Sequence, residues 1–186
     1  VLSFKFKLNG NGDWSLLEII PRIIKVHENL SYEQADLLIE HNRDFWGLLN
    51  KFCKCAQDRR LEKGALNLAR KEFDFDISDP EKIRIIPLKR NSPSSRIIEE
   101  LAIAVNRETA RLFQEADFPG IYRTQSPYEL IKEVEDGELL SLENIRIEPA
   151  KLTTVPGVHS GLGCEVYMHA TSPIRRFTDL ITQSQL

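Results

Sequence analysis

The first residues of the chain alternate between apolar and polar side chains, a pattern typical of a half-buried β-strand. One face carries the apolar residues and the other carries lysines: Leu2, Phe4, Phe6 and Leu8 against Lys5 and Lys7. Residues 9–12, Asn-Gly-Asn-Gly, favour a tight turn because they tolerate positive φ. Residues 14–26 form a second apolar stretch, so we expect a β-hairpin with Pro21 at a bulge or an edge.

Three segments further along have the apolar spacing of amphipathic helices. The first begins at Ser31, because Ser31 and Gln34 form a capping-box pattern. The second covers residues 43–63, and Gly64 is placed to end it. The third, over residues 94–116, shows the strongest pattern.

The remaining elements are shorter, and the patterns predict strands at residues 65–68, 73–77, 83–88 and 121–123. Ser126-Pro127 resembles an N-cap followed by the first helical residue and predicts a helix through Val134. We also expect a helix near residues 141–151 and a last helix that begins at Ser172-Pro173. Together the elements predict an α+β fold, a mixed or antiparallel sheet packed with several helices.

Composition narrows the function classes. The 186 residues carry a formal net charge of −3, so any contact with nucleic acid needs a local basic cluster. No apolar run is long enough to span a bilayer, and we expect no membrane partner. The three cysteines lack a framework spacing, so we expect reduced thiols without a disulfide partner. Reduced thiols favour a cytoplasmic protein, with an organelle stroma or matrix as the alternative location. Nothing in the sequence implies an oligomer.

The segment Ser172-Pro173-Ile174-Arg175-Arg176-Phe177 is the first candidate site. A capped helix start exposes backbone N–H groups and the positive end of the helix dipole, both of which attract anions. Arg175 and Arg176 add forked donors that match phosphate geometry. The alternative is an ordinary surface helix start with solvated arginines.

The predicted helix over residues 94–116 supplies the second candidate. Glu99 and Asn106 are seven residues apart and share nearly one face. One glutamate of the pair Glu99-Glu100 must lie beside the apolar stripe, where a carboxylate needs a partner. The alternative is a solvated pair at a helix start.

Two further residues have side chains suited to RNA. Tyr32, at a helix start, can stack on a base or reach a ribose hydroxyl, although a lone aromatic is more often packing. His159 lies in a glycine-rich loop and can contact phosphate, although a histidine bonded to backbone is the simpler alternative.

Taken in order, these sequence motifs resemble those of the RNB-domain exoribonuclease family, of the ribonuclease II and ribonuclease R type. The matching stretches span nearly the whole chain: Leu2-Ser3-Phe4, Leu30-Ser31-Tyr32-Glu33, Arg60 with Gly64-Ala65-Leu66, Ile97-Ile98-Glu99-Glu100 with Asn106, Pro119-Gly120-Ile121-Tyr122-Arg123, Pro156-Gly157 with His159, Gly161-Leu162-Gly163 and Tyr167, and Thr171 through Leu180. The resemblance implies hydrolysis of single-stranded RNA from its 3′ end to nucleoside 5′-monophosphates, with two Mg²⁺ ions.

The resemblance also implies residue roles. Arg175 matches the catalytic arginine that stabilises charge on the scissile phosphate. Glu99, also counted as catalytic, and Tyr32 match residues that hold the terminal nucleotides and help to select ribose. The other expected RNA-binding residues are Asn106, His159, Tyr167, Ser172 and Arg176. The family's metal-binding aspartates precede the strand that opens this chain, so we expect no metal ligand within it and Mg²⁺ bound upstream of Val1.

Both ends of the chain lie inside predicted elements, so we expect residues 1–186 to be a partial RNB catalytic domain truncated at both ends. The N-terminal aspartate motif and the C-terminal S1 domain are then absent, and we expect the fragment alone to be inactive. Four residues depart from the family pattern: Leu68, Gln125, Gln183 and Ser184. The alternative function is a catalytically degenerate RNB domain that acts as an RNA- or protein-binding module.

Overall fold

The computed structural model describes residues 1–9, 13–41, 44–67, 72–79, 81–88, 92–132 and 142–186. Within these ranges the chain forms four α-helices: α1 (Tyr32–His41), α2 (Phe45–Glu62), α3 (Pro93–Glu115) and α4 (Phe177–Gln185). The eight strands are β1 (Leu2–Leu8), β2 (Trp14–Pro21), β3 (Glu72–Asp76), β4 (Arg84–Leu88), β5 (Tyr122–Thr124), β6 (Glu129–Leu130), β7 (Ile145–Arg146) and β8 (Lys151–Thr153).

The strands of the described residues pair in twos, and every pair is antiparallel: β1 with β2, β3 with β4, β5 with β8, and β6 with β7. The predicted first hairpin is confirmed. Its irregularity lies between Lys5 and Phe6, whereas Pro21 is the last residue of β2. Helices packed with small antiparallel sheets confirm the α+β class.

Capping residues correctly predict the start of the first helix and the end of the second. The amide of Ser31 donates to Gln34 Oε1 at 2.8 Å, and the amide of Gln34 donates to Ser31 Oγ at 3.2 Å, which completes the capping box of α1. Gly64 follows α2 with a φ of +86°, a left-handed conformation that glycine adopts without strain.

Helix α3 is the centre of the packing, because its buried face contributes to three apolar clusters. Ile97 and Ala104 pack with Trp14, Ile39 and Cys53 from the β1–β2 hairpin and the first two helices. In a second cluster, Ile103 packs with Cys164 and Tyr167. Nearer the C-terminal end of α3, Ala110 and Phe113 pack with Tyr122, Val166 and Met168. The helix therefore links the N-terminal half of the chain to the segment that precedes α4.

Two predicted helices are wrong. Residues 129–130 form β6 instead of a helix opened by Ser126-Pro127, and residues 145–146 and 151–153 form β7 and β8. The local helix signal is overridden because β6 pairs with β7, and β8 pairs with β5. Residues 133–141 lie outside the described residues, as does Leu68. Residues 65–67 belong to no strand.

Candidate nucleic-acid interface

The segment from His159 to Ala170 is held against the buried face of α3 by one asparagine. Asn106 Nδ2 donates to the Tyr167 hydroxyl at 2.8 Å, and Asn106 Oδ1 accepts from the amide of Ala170 at 2.8 Å. Asn106 is only 2% exposed, and these two bonds use both ends of its amide. It therefore fixes the backbone that leads into the arginine segment, and its contacts are with protein groups.

A buried ion pair makes the second connection between α3 and this segment. Arg60 Nε of α2 donates to Glu100 Oε2 at 3.0 Å, and a second bond joins Arg60 Nη2 to Glu100 Oε1. Arg60 Nη1 also donates to the carbonyl of Leu162 at 3.0 Å. At Gly163, which has a φ of +63°, a Cβ would stand 2.6 Å from the Arg60 carbonyl. Glycine is thus required where the loop meets α2.

Tyr167 lies between two imidazole rings. Its ring contacts His159 edge-on at a centroid distance of 5.4 Å and His169 edge-on at 6.0 Å. Arg123 joins the group from β5: its amide donates to the Tyr167 carbonyl at 2.8 Å, and its Nη1 lies 3.2 Å from His169 Nε2.

Both imidazoles are held in the neutral form. Burial, followed by the charge of Arg123, lowers the pKa of His159 to about 4. Burial, followed by the charges of Arg176 and Arg123, lowers the pKa of His169 to about 4. A neutral His169 can accept the hydrogen bond from Arg123, which leaves the guanidinium with its full positive charge.

The arginine segment is organised by Asp179, which is 0% exposed on the first turn of α4. Asp179 Oδ1 accepts from the amide of Ser172 at 2.8 Å and from Arg176 Nη2 at 2.7 Å. The carbonyl of Ser172 accepts from the amides of Arg175 and Arg176, at 3.2 and 3.0 Å. Residues 173–175 are therefore a tight turn held at both ends.

This turn corrects the predicted start of the last helix. Helix α4 begins at Phe177, and its N-cap, Arg176, has extended backbone angles (φ −132°, ψ 119°). Ser172 does not cap the helix, because the chain turns through residues 173–175 before α4 starts at Phe177. Arg175 and Arg176 thus precede the helix, and the anion attraction comes from their side chains more than from a helix dipole.

The two arginines differ in their freedom. Arg176 is partly buried and paired with Asp179. Arg175 is exposed, and its nearest polar side-chain contact joins Nη2 to Ser172 Oγ at 3.5 Å. Among the residues that the structure describes, no carboxylate pairs with Arg175. Its guanidinium is available to a ligand anion.

Tyr32 and Glu99 lie at the other end of α3. Ser94 at the start of α3 donates through Oγ to the carbonyl of Tyr32 at 3.2 Å, and its amide donates to Asp36 Oδ1 at 2.8 Å. Tyr32 is 56% exposed, and Glu99 is exposed, whereas its neighbour Glu100 is 2% exposed. The structure therefore joins Asn106, His159, Tyr167, Ser172, Arg175 and Arg176 in one connected group and leaves Tyr32 and Glu99 on the surface around the start of α3.

Four residues that hold this group in place have no site role in the sequence analysis: Asp179, Arg123, His169 and Arg60. Asp179 carries a visible signal, because it follows Arg176 by three residues and interrupts the apolar face of α4. Arg123 and His169 are brought together only by strand pairing, and Arg60 reaches Glu100 only through helix packing, so no local pattern marks them.

The described residues do not fit a Mg²⁺ site, since they contain no group of three or more histidine, cysteine, aspartate or glutamate side chains that could hold a metal ion. Over the same part of the chain, no helix is both long and apolar enough to cross a membrane.

With this geometry established, the comparisons with known proteins identify the family. The model of the RNB domain matches residues 1–186, and the chain belongs to the RNB domain family. An uncharacterised ribonuclease of Synechocystis is 31% identical over 198 residues, covering 100% of this chain and 29% of that protein. The chain spans about 30% of the length of the curated relatives it matches.

Solved structures with this fold are more distant in sequence. Mycoplasma genitalium RNase R, solved in complex with ribose-methylated single-stranded RNA, has a TM-score of 0.79 at 16% identity. The alignment covers 98% of this chain and 36% of the Mycoplasma chain. Yeast Ssd1, described as a pseudonuclease, has a TM-score of 0.55 at 16% identity, and the alignment covers 84% of this chain and 24% of the Ssd1 chain. The expected family is confirmed, and the fold is shared by a nuclease and a pseudonuclease.

Proposed function

We propose that the protein containing this chain is an exoribonuclease that hydrolyses single-stranded RNA from its 3′ end to nucleoside 5′-monophosphates. The observation that carries the proposal is Arg175, an exposed guanidinium without a carboxylate partner among the described residues, held on a turn that Asp179 fixes. A guanidinium whose backbone is held in that position can stabilise negative charge on a phosphate as it develops.

The choice of RNA rests on two kinds of support. The curated relatives reported above are named as ribonucleases, and Mycoplasma RNase R, which shares the fold, was solved with ribose-methylated single-stranded RNA. In this chain, Tyr32 and Glu99 are exposed around the start of α3, where an aromatic face can stack on a base and a carboxylate can accept from a ribose hydroxyl. We propose that these two side chains hold the terminal nucleotides.

Dependence on Mg²⁺ is part of the proposal. The described residues offer no metal site, and we propose that the ligands lie upstream of Val1, as the family resemblance implies. We therefore expect residues 1–186 to be inactive as an isolated polypeptide. Mg²⁺-dependent release of nucleotides by the purified fragment, at a rate comparable to the longer protein, would contradict the placement of the metal ligands.

The test is the variant Arg175→Ala in the full-length protein. We expect turnover of a 3′-labelled single-stranded RNA to fall by about two to three orders of magnitude, the usual effect of removing one transition-state charge donor. Affinity for RNA should change far less. Arg146→Ala is the matched control, because Arg146 is an exposed arginine that faces Glu129 on the β6–β7 pair. Equal turnover in both variants would reject the role of Arg175.

A second candidate, a degenerate RNB domain that binds RNA or a protein without hydrolysis, is favoured by the likeness to yeast Ssd1. The two candidates separate in one assay of the wild-type protein. An exoribonuclease releases nucleoside 5′-monophosphates from single-stranded RNA when Mg²⁺ is added, and EDTA stops the release. A degenerate domain leaves the RNA intact under both conditions.

A further inference from the structure

Three buried polar atoms, on His159 of the glycine-rich loop and on Arg176 of the arginine segment, lack hydrogen-bond partners. They are Nδ1 and Nε2 of His159 and Nε of Arg176, and they make up three of the five such atoms in the described part of the chain. His159 is 5% exposed, so burial without a partner costs about 1–3 kcal/mol for such a group. An oxygen-rich ligand at this position would recover that loss.

The charge around these atoms is positive. The charge of Arg123 acts on both His159 and His169, Arg176 acts on His169, and the opposing charge of Asp179, which pairs with Arg176, acts on His169 less strongly. No ion pair engages Arg123 among the described residues, and its one polar side-chain contact is with the neutral ring of His169. A half-buried arginine without a counter-charge is poorly compensated, and an anion supplies what it lacks.

We propose that Arg123, His159 and His169 form a phosphate-binding site that engages a second phosphate of the RNA strand whose scissile phosphate contacts Arg175. This inference rests on the proposed function, because it takes the ligand to be the same RNA. Arg123 supplies the charge, and the N–H of neutral His159 donates a hydrogen bond to a phosphate oxygen. His169 is a positioning residue, which accepts from Arg123 Nη1 and sets the direction of the guanidinium.

The arrangement suits a phosphate held firmly in place. Tyr167 contacts both imidazoles, and its hydroxyl is fixed by Asn106. The amide of Arg123 is bonded to the Tyr167 carbonyl, so the backbone of β5 moves with this ring. Asn106 also binds the amide of Ala170, two residues before Ser172, so one side chain holds both Tyr167 and the backbone that leads to Arg175.

The test measures how RNA affinity depends on salt, in the full-length protein with EDTA and a fluorescent single-stranded oligoadenylate. Each neutralised phosphate of a single strand contributes about 0.7 to the slope of log affinity against log salt concentration. Arg123→Gln keeps a donor for His169 and removes the charge, so we expect the slope to fall by about 0.7. Arg123→Lys keeps the charge, and its slope should match the wild type.

His159→Phe tests the neutral donor separately. Phenylalanine preserves the aromatic contact with Tyr167 and removes the ring nitrogens, so affinity should fall about two- to tenfold while the salt slope stays unchanged. Arg146→Gln is the control for general charge loss, and its slope should equal that of the wild type.

An unchanged slope in Arg123→Gln, or an equal loss in Arg146→Gln, overturns the phosphate site. If Arg123→Gln fails to fold, the wild-type protein still decides: a bound phosphate should raise the pKa of His159 by about 1–3, measured by NMR with and without RNA. No change in that pKa overturns the site. These measurements do not need hydrolysis, so a protein that binds through Arg123 without cleaving RNA refutes the proposed exoribonuclease and leaves this site intact.

Discussion

Arg60 of α2 and Glu100 of α3 form a buried, two-bonded ion pair that also reaches the carbonyl of Leu162. The pair joins two helices to the glycine-rich loop that carries His159, so it stabilises the frame of the site without facing solvent. Its neighbour Glu99 is exposed on the same turn of α3. Adjacent glutamates thus have separate tasks, one in packing and one at the surface.

These separate tasks predict different effects when either glutamate is replaced by glutamine. Glu100→Gln should lower the free energy of unfolding by about 3–5 kcal/mol, because it leaves the buried charge of Arg60 unpaired. Glu99→Gln should leave stability within about 0.5 kcal/mol of the wild type and reduce RNA cleavage. Urea unfolding followed by circular dichroism measures the first effect, and nucleotide release in Mg²⁺ measures the second.

The double variant Arg60→Met/Glu100→Leu serves as the control for the ion pair. Replacing both buried charges with apolar side chains should recover most of the lost stability. A similar loss of stability in Glu99→Gln and Glu100→Gln would contradict the assignment of the two glutamates.

Asn106 gives a second prediction about the frame. Asn106→Ala leaves the Tyr167 hydroxyl and the Ala170 amide without their partner, and each buried unsatisfied group costs about 1–3 kcal/mol. We expect thermal unfolding at a clearly lower temperature. Asn50→Ala, which removes one partly buried bond to Arg96, is the matched control and should lower stability by about 1 kcal/mol or less. Equal effects would show that the amide of Asn106 does not hold the segment.

Local signals in the sequence were sufficient for elements whose stabilising contacts are also local. The capping box of Ser31 and Gln34 and the glycine after α2 mark real helix ends, because the bonds they make lie within four residues. Ser126-Pro127 carries an equally good local signal and fails, because β5–β8 and β6–β7 pairing determines that region. Pairings between distant residues leave no trace in local spacing.

The candidate site divides in the same way. The sequence shows that one glutamate of Glu99-Glu100 must be buried with a partner, and the structure identifies Glu100 and Arg60. Identifying the partner requires the packing of α2 on α3. Likewise, the sequence pattern predicts Ser172 as a helix cap, but its carbonyl accepts from the amides of Arg175 and Arg176, so a turn comes first and the helix begins at Phe177.

The neutral histidines predict how stability depends on pH. The pKa of His159 is about 4 in the folded chain and 6.5 when unperturbed, so between these values the unfolded chain binds a proton that the folded chain does not. The contribution is complete above pH 6.5 and is lost as the pH falls toward 4. We expect a loss on the order of 2 kcal/mol for this residue, measured by urea unfolding across that range.

The pH effect can be assigned by comparing variants. His159→Phe should show a shallower decline between pH 6.5 and 4 than the wild type, because the titrating ring is gone. His169, which faces Arg123, Arg176 and Asp179, continues to titrate and leaves part of the decline in place. His27→Gln, at an exposed position, should follow the wild-type curve. A decline that is identical in wild type and His159→Phe would contradict the assignment.

Asp179 determines whether Arg175 is held in place, and Asp179→Asn tests this directly. Asparagine can still accept from the amide of Ser172 but no longer pairs with Arg176, so the turn should loosen while the helix remains. Because Arg176 is partly exposed, we expect a loss of only about 1–2 kcal/mol in stability. Turnover of single-stranded RNA should fall much further, because a misplaced Arg175 no longer stabilises the developing charge.

The control is Asp58→Asn, at an exposed position on α2, which should change neither stability nor turnover. If turnover in Asp179→Asn falls only in proportion to the folded fraction, the carboxylate supports the fold alone, and Arg175 does not depend on it.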